Sequence, residues 1–324
     1  MKVIKFISAV LLVGAAFLQS VAAASNIAPL VDPAWLNAHK DQVTILQVTA
    51  AVDSFTKAPV IKTEKGKKVV SVVSGHVPGA QLVDFNTIRV KRTVAGKKVK
   101  KLIPLKADFE KLAQSWGVNK DSTIVLVPVG LNTGDVNQAA RLYWQFKYYG
   151  HQDMAILDGG MAEWLAAGYP AATNAPVAKT GNWVATTEDK SIMATYDDVK
   201  KALKGKHVQL ADARPQNQYM GVFTKKGELS GHLKGAKDMS PDLITRADGA
   251  SARFLPVKSY KSMMKAKGLN PDAKTIAYCN TGHQAAGVWF VTHELIGNKH
   301  ASLYDGSLVE YSLLGGETTN PARL

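Results

Sequence analysis

The chain holds one cysteine, Cys279, in the stretch Ala277-Tyr278-Cys279-Asn280-Thr281-Gly282-His283-Gln284-Ala285-Ala286. An apolar run ends at Cys279 and a helix-like run begins near Ala285. The residues between are small or turn-tolerant, and Gly282 is free to take a positive φ. Such a strand–loop–helix turn aims backbone N–H groups inward, toward the positive end of the helix. Sulfur held there is stabilised as thiolate, because the donors bond the charged form. A free thiol is only a few per cent thiolate at neutral pH, so this stabilisation separates a nucleophile from a passive side chain. The same ring of donors suits a persulfide or a bound oxyanion. Cys279 is therefore the expected catalytic residue. The expected substrate-binding set is Asn280, Thr281, Gly282, His283, Gln284, Ala285 and, outside the loop, Arg214. A free cysteine is otherwise often a small buried hydrophobe; the neighbouring residues are what favour chemistry.

Each of these side chains has a plainer reading beside the functional one. Asn280 and Thr281 either bond substrate oxygen or hold the turn. His283 either donates to an oxyanion, with a charge that changes across mild pH, or is a loop histidine without a role. Arg214 either fixes a carboxylate or sulfonate or forms an ion pair with Asp212. Arg246, Arg253, Lys225 and Lys226 either border the cleft or are solvated surface. Trp289 and Phe290 read as core, and His76 and His232 as structural. No His/Cys/Asp cluster has ligand spacing, so no metal is expected. No glycine fingerprint follows a strand, so no flavin or nicotinamide is expected. Cysteine phosphatases close their loop on an arginine, whereas Gln284 and Ala285 follow His283 here, which disfavours that chemistry.

The elements that position the loop occur twice. Gly75-His76-Val77-Pro78-Gly79-Ala80 matches Gly231-His232-Leu233-Lys234-Gly235-Ala236, and Ile103-Pro104 matches Leu255-Pro256. Gly117-Val118-Asn119 matches Gly268-Leu269-Asn270. Leu157-Asp158-Gly159-Gly160 with Glu163-Trp164 matches Tyr304-Asp305-Gly306-Ser307 with Glu310-Tyr311. Order and spacing agree, so one unit is present in two diverged copies. Short apolar strands alternate with helical stretches, which predicts α/β units with mainly parallel sheets. Strands are expected at Thr123–Val127, Val208–Ala211 and Thr275–Tyr278, and a helix at 285–296. Lys57–Lys68 and Arg89–Lys101 read as Lys-rich exposed hairpins. The expected division is 25–170 and 191–324 as units, with 171–190 as linker.

These motifs resemble the tandem-domain rhodaneses, the thiosulfate and mercaptopyruvate sulfurtransferases, over nearly all of residues 30–316. Leu-Asp-Gly-Gly-Met-Ala-Glu-Trp at 157–164 and Ala211-Asp212-Ala213-Arg214 with Gln218-Tyr219 and Gly221 add to the likeness. The resemblance implies two rhodanese-like domains, an inactive first copy and a catalytic second one whose loop cradles a Cys279 persulfide. The first copy lacks the cysteine and has Leu46-Gln47-Val48-Thr49 in place of Ala211-Asp212-Ala213-Arg214. The loop departs from the thiosulfate type, which places Arg and Lys there, and from the mercaptopyruvate type, which has small residues; donor preference stays open. The implied activity moves sulfane sulfur from a small anionic donor to cyanide or a thiol, with a protein thiol among the candidate acceptors. A sulfur or selenium carrier, or a partner-binding rhodanese module, without turnover of a small donor is the alternative.

Charge and the N-terminus fit that expectation. Lys2 and Lys5, the apolar stretch Ile7 to Leu18 and Ala22-Ala23-Ala24 read as a signal peptide cut after Ala24. The apolar stretch is too short for a spanning helix. Export to the periplasm or medium is expected, with no membrane span. Loss of Lys2 and Lys5 takes the net charge from +14 to +12. A basic exported protein favours small anions over nucleic acid as partners.

Overall fold

The computed structural model describes residues 27–323 apart from 65–66, 176, 206 and 225–227. The expected leader, Lys225 and Lys226 lie outside the described residues. The first unit runs β1 (Leu30–Val31), α1 (Pro33–His39), β2 (Thr44–Thr49), β3 (Val60–Glu64), β4 (Lys67–Val72), β5 (Gln81–Asp84), β6 (Val90–Val94), β7 (Lys97–Leu102), α2 (Lys106–Ser115), β8 (Ile124–Pro128), α3 (Thr133–Tyr148), β9 (Met154–Leu157) and α4 (Gly160–Ala166). The second runs β10 (Met193–Ala194), α5 (Tyr196–Lys204), β11 (Gln209–Asp212), α6 (Gln216–Tyr219), β12 (Lys237–Asp238), β13 (Thr245–Asp248), β14 (Ser251–Phe254), α7 (Val257–Ala266), β15 (Thr275–Tyr278), α8 (Gln284–Phe290), β16 (Ala301–Tyr304) and α9 (Ser307–Leu313).

Each unit is built on a parallel five-stranded sheet, ordered β1-β9-β8-β2-β5 in one and β10-β16-β15-β11-β12 in the other. The expected α/β class with parallel sheets flanked by helices is what the chain adopts. Strands β8 and β15 are buried at every residue, because helices cover both faces of such a sheet. The helix starts follow local chemistry. Asp32 accepts from Trp35 N ahead of Pro33, and Thr195 and Asp198 form a capping box on α5. Helix α3 packs on α8, with Tyr143 5.0 Å from Phe290 between ring centroids, so one apolar core joins the units.

The duplication extends to strand register. Ile124 pairs with Met154 in the first unit, and Thr275 pairs with Ala301 in the second. Counting from those pairs, Pro128 stands where the second unit has Cys279. The two Gly-His turns also agree. His76 Nδ1 bonds Phe55 O at 2.9 Å and its ring stacks on Phe55, while His232 Nδ1 bonds Tyr219 O at 2.8 Å and stacks on Tyr219. Both histidines are structural.

Both Lys-rich segments form hairpins, β3–β4 and β6–β7. Ala95 and Gly96 turn the second with φ of 46° and 77°, the left-handed pair that a tight hairpin needs. Two features differ from expectation. The helix expected at 285–296 ends its α-helical part at Phe290 and continues as a π turn over Val291–Leu295. Thr292 donates its hydroxyl back to Val288 O, which loosens the regular ladder there. The segment 171–190 is no free tether. Gly181 N bonds Gln114 O, Trp183 N bonds Val118 O, and the buried Trp183 ring packs edge-on to Phe109 and Phe146.

Candidate active site

Strand β15 delivers Cys279 to the carboxyl end of the second sheet, where parallel sheets place their ligands. Its exposure is 2%. The loop is held by Ser307, the first residue of α9. Cys279 N and Gly282 N both donate to Ser307 Oγ at 3.1 Å, and Ser307 donates to Tyr304 O at 2.8 Å. Ser307 takes a φ of 49°, which is strained for a side-chain-bearing residue. The hydroxyl that unites the loop accounts for its place there. Leu308 N and Val309 N bond the carbonyls of Cys279 and Asn280, so α9 supports the loop along its length.

Gly282 takes a φ of +70°. A Cβ on it would lie 2.6 Å from both Arg141 Nη1 and Asp305 O. The loop thus requires glycine twice over, for conformation and for room. Arg141 comes from α3 of the first unit. It is 0% exposed, donates to Gly282 O at 3.2 Å and forms a close ion pair with Asp305. Asp305 also accepts from Ile103 N of the first unit at 2.9 Å.

His283 of the loop and Arg89 of the first unit complete the wall where the two units meet. His283 Nε2 lies 3.2 Å from Gly134 O; a carbonyl only accepts, so this nitrogen carries the hydrogen. Its ring rests against Phe85 at 4.7 Å. Burial, and next the positive charge of Arg89, push the His283 imidazole down to about 3. The expected titration across mild pH is therefore corrected: His283 is a neutral donor bound to a carbonyl. Arg89 lies over Phe85, 3.9 Å from the ring centroid, close enough to Cys279 for the two groups to interact electrostatically. Burial and the charge of Arg141 lower its guanidinium to about 10, so it stays cationic at neutral pH. Arg89 Nε is buried without a partner, as is Asn280 Oδ1.

The remaining expected residues sort as follows. Asn280 Nδ2 donates to Gln218 Oε1 at 2.9 Å, which holds the turn. Thr281 and Gln284 are half-buried and Ala285 is buried, all on the same loop and helix start as Cys279. Helix α8 has no side-chain cap, which leaves its first amides to the loop. Arg214 is corrected. It is 1% exposed and forks onto Asp212, with Nε at 2.9 Å and Nη2 at 2.6 Å, and also onto Gly231 O. In the first unit Gln47 makes the matching bond to Gly75 O. A neutral residue does this job there, so the job is structural. Arg253 and Arg246 lie at the opposite junction. Arg253 pairs with Asp158, Glu163 and Asp248, and the exposed Arg246 with Asp248.

Sequence reasoning missed Arg89 and Arg141. Arg141 carried a signal, a lone charge in the apolar helical run Ala139-Ala140-Arg141-Leu142-Tyr143-Trp144, where a buried charge needs a partner. Arg89 opens a hairpin full of lysines and arginines and nothing local distinguishes it.

Comparison with known proteins agrees with this architecture. The rhodanese-like domain model matches residues 33–167 and 195–314, inside the two units proposed from sequence. The sulfur carrier protein TtuD of Thermus thermophilus is 30% identical over 286 residues, 84% of this chain and 95% of its own. The thiosulfate sulfurtransferase of Bos taurus is 28% identical over 239 residues, 73% of this chain and 77% of its own. The anaerobic ergothioneine biosynthesis enzyme of Chlorobium limicola shares the fold, with a TM-score of 0.70 at 18% identity over 88% of this chain and 68% of that one. The chain belongs to the rhodanese-like family, as two tandem copies, among relatives named as sulfurtransferases and a sulfur carrier.

Proposed function

We propose that the chain is a sulfurtransferase that carries sulfane sulfur on Cys279. The Cys279 thiolate attacks the outer sulfur of an anionic donor such as thiosulfate. The donor's S–S bond breaks, its electron pair leaves with sulfite, and Cys279 keeps the outer sulfur as a persulfide. Cyanide, a small thiol or a protein thiol then attacks that sulfur, and Cys279 departs as thiolate. The observation that carries this reading is Cys279 at the end of β15 with a cation of the other unit within electrostatic reach, Arg89, whose Nε is buried without a partner. A donor oxyanion supplies the missing partner, and the loop amides stabilise the charge on sulfur. On this reading, the Ala24 cleavage site and an extracytoplasmic location remain part of the proposal, checked by N-terminal sequencing of the protein from the host.

Kinetics with thiosulfate and cyanide test the enzyme reading. Parallel double-reciprocal lines are expected, with turnover lost in Cys279→Ser; intersecting lines would contradict a persulfide intermediate. The likeness to the carrier TtuD supports a second reading, in which the persulfide passes to one protein without turnover of a small donor and acceptor. A persulfide that forms on Cys279 yet resists cyanide and small thiols would favour it.

A further inference from the structure

A second cavity lies at the junction of the units, and sulfur transfer makes no use of it. Its volume is about 340 Å³, at the small end of ligand sites. The hairpin β6–β7 and helix α3 of the first unit wall one side, through Arg92, Leu102 and Tyr148. The second unit walls the other, through Tyr196, Asp305 and Glu310.

The charges in this cavity run against those of the protein. The chain carries +14, yet the described lining holds four carboxylates, Glu188, Asp197, Asp305 and Glu310, and one base, Arg92. Two of the acids are already matched, Asp305 by Arg141 and Asp197 by Lys200. Arg92 directs Nη1 to Ile103 O. Glu188 and Glu310 form no ion pair among the described residues; Glu188 is exposed and Glu310 is buried. Glu310 is 7% exposed, hence more than nine-tenths buried, and faces the cavity. Burial and then the charge of Asp305 push it up to about 7, against smaller opposing pulls from the Tyr304 hydrogen bond and from Arg92. The buried hydroxyl of Tyr304, beside it, donates toward its carboxylate. Tyr148 and Tyr196 add aromatic walls; Lys200 Nζ already lies 4.7 Å from the Tyr196 ring centroid, the contact that a cation makes with such a ring.

We propose that this cavity binds a small organic cation, an amine whose apolar body lies against Leu102 and the tyrosines and whose charge meets Glu310 and Glu188. A carboxylate inside an aromatic-walled cavity is the arrangement that selects a cation over a neutral molecule of equal size.

Calorimetric titration of the full chain at pH 8 tests this with three probes of one shape: n-butylamine, n-butanol and butyrate. Butylammonium should bind saturably at one site per chain, and butanol at least about tenfold more weakly. Lowering the pH to 6 should weaken the amine, because a proton then competes for Glu310. Glu310→Gln keeps the side-chain shape and should cost about tenfold in amine affinity. Glu188→Gln, at an exposed position, keeps the test open if the first variant fails to fold, and should also weaken binding. Equal affinity for butanol or butyrate, no saturable amine binding, or amine binding unchanged in both variants would overturn the proposal. None of these readouts depends on sulfur transfer.

Discussion

The two strand–loop–helix turns, β15 to α8 and β8 to α3, are built on one plan and have opposite endowments. In the second unit Cys279 offers both a thiol and an N–H, and Ser307 accepts that N–H together with the one from Gly282. In the first, Pro128 stands at the cysteine position and has no N–H. Gly160, with a φ of 58°, stands where Ser307 bends. A Cβ on Gly160 would lie 2.2 Å from Pro128 O. Donor and acceptor are missing together, so no buried N–H is left short of a partner by the change. Its own loop is tied instead by Asp135, which accepts from Leu131 N, and by Asn132, which caps α3. The copy without a cysteine contributes side chains to the loop of the other. Arg141, Arg89, Phe85 and Gly134 O all reach the Cys279 loop from the first unit. The cysteine belongs to one copy and the positive charge beside it to the other.

The largest expected effect separates the two junction arginines. Arg141→Ala leaves Asp305 buried without its cation and should cost about 3–5 kcal/mol in denaturant unfolding. Arg253→Ala removes the mirror contact to Asp158 from a side chain 30% exposed, and should cost about 1 kcal/mol or less. Equal losses would erase the asymmetry. Next, Gly282→Ala should destabilise by about 1–3 kcal/mol through its positive φ, and should slow sulfur uptake further by driving Arg141 and Asp305 apart.

Ser307 sharpens the comparison. Ser307→Ala leaves two buried N–H groups short of an acceptor and keeps the strained φ, for about 1–3 kcal/mol. Ser307→Gly, which copies the first unit, loses the same bonds but relieves the strain, so it should be the more stable of the two by about 1 kcal/mol. Arg89→Gln should fold normally and reduce kcat/KM for thiosulfate about 10- to 100-fold, the worth of a hydrogen bond to a charged group. The smallest effect concerns rate against pH. His283 is neutral from pH 5 to 9, so His283→Asn should remove no inflection from the rate profile there. Its depressed value acts on stability instead. The unfolded imidazole takes a proton near pH 6.5 and the folded one near 3, so stability falls as pH falls through that window, and His283→Asn should flatten the fall.

The fold was legible because its cues are local or repeated. Apolar strands of fixed length, the two Gly-His turns and the two Asp-Gly turns locate both sheets from residue order alone. The place of Cys279 was legible for the same reason, since it stands at a strand end before a glycine-bearing turn. The charge around it was not. Arg89 and Arg141 lie 190 and 138 positions upstream of Cys279, and only the packing of α3 on α8 brings them near. Arg214 lay beside a motif and so looked like the better candidate. Its bidentate hold on Asp212 consumes the property that recommended it. His283 was misjudged on charge because sequence does not show which loop residue a neighbouring unit covers.

Intact mass after incubation with thiosulfate tests the central claim most directly, with the native chain beside Cys279→Ser and Arg89→Gln. The account predicts one added sulfur on the native chain, removed by cyanide or a thiol, none on Cys279→Ser, and slowed addition on Arg89→Gln. Sulfur on Cys279→Ser, or unchanged loading of Arg89→Gln, would contradict a site built from the cysteine of one copy and the charge of the other.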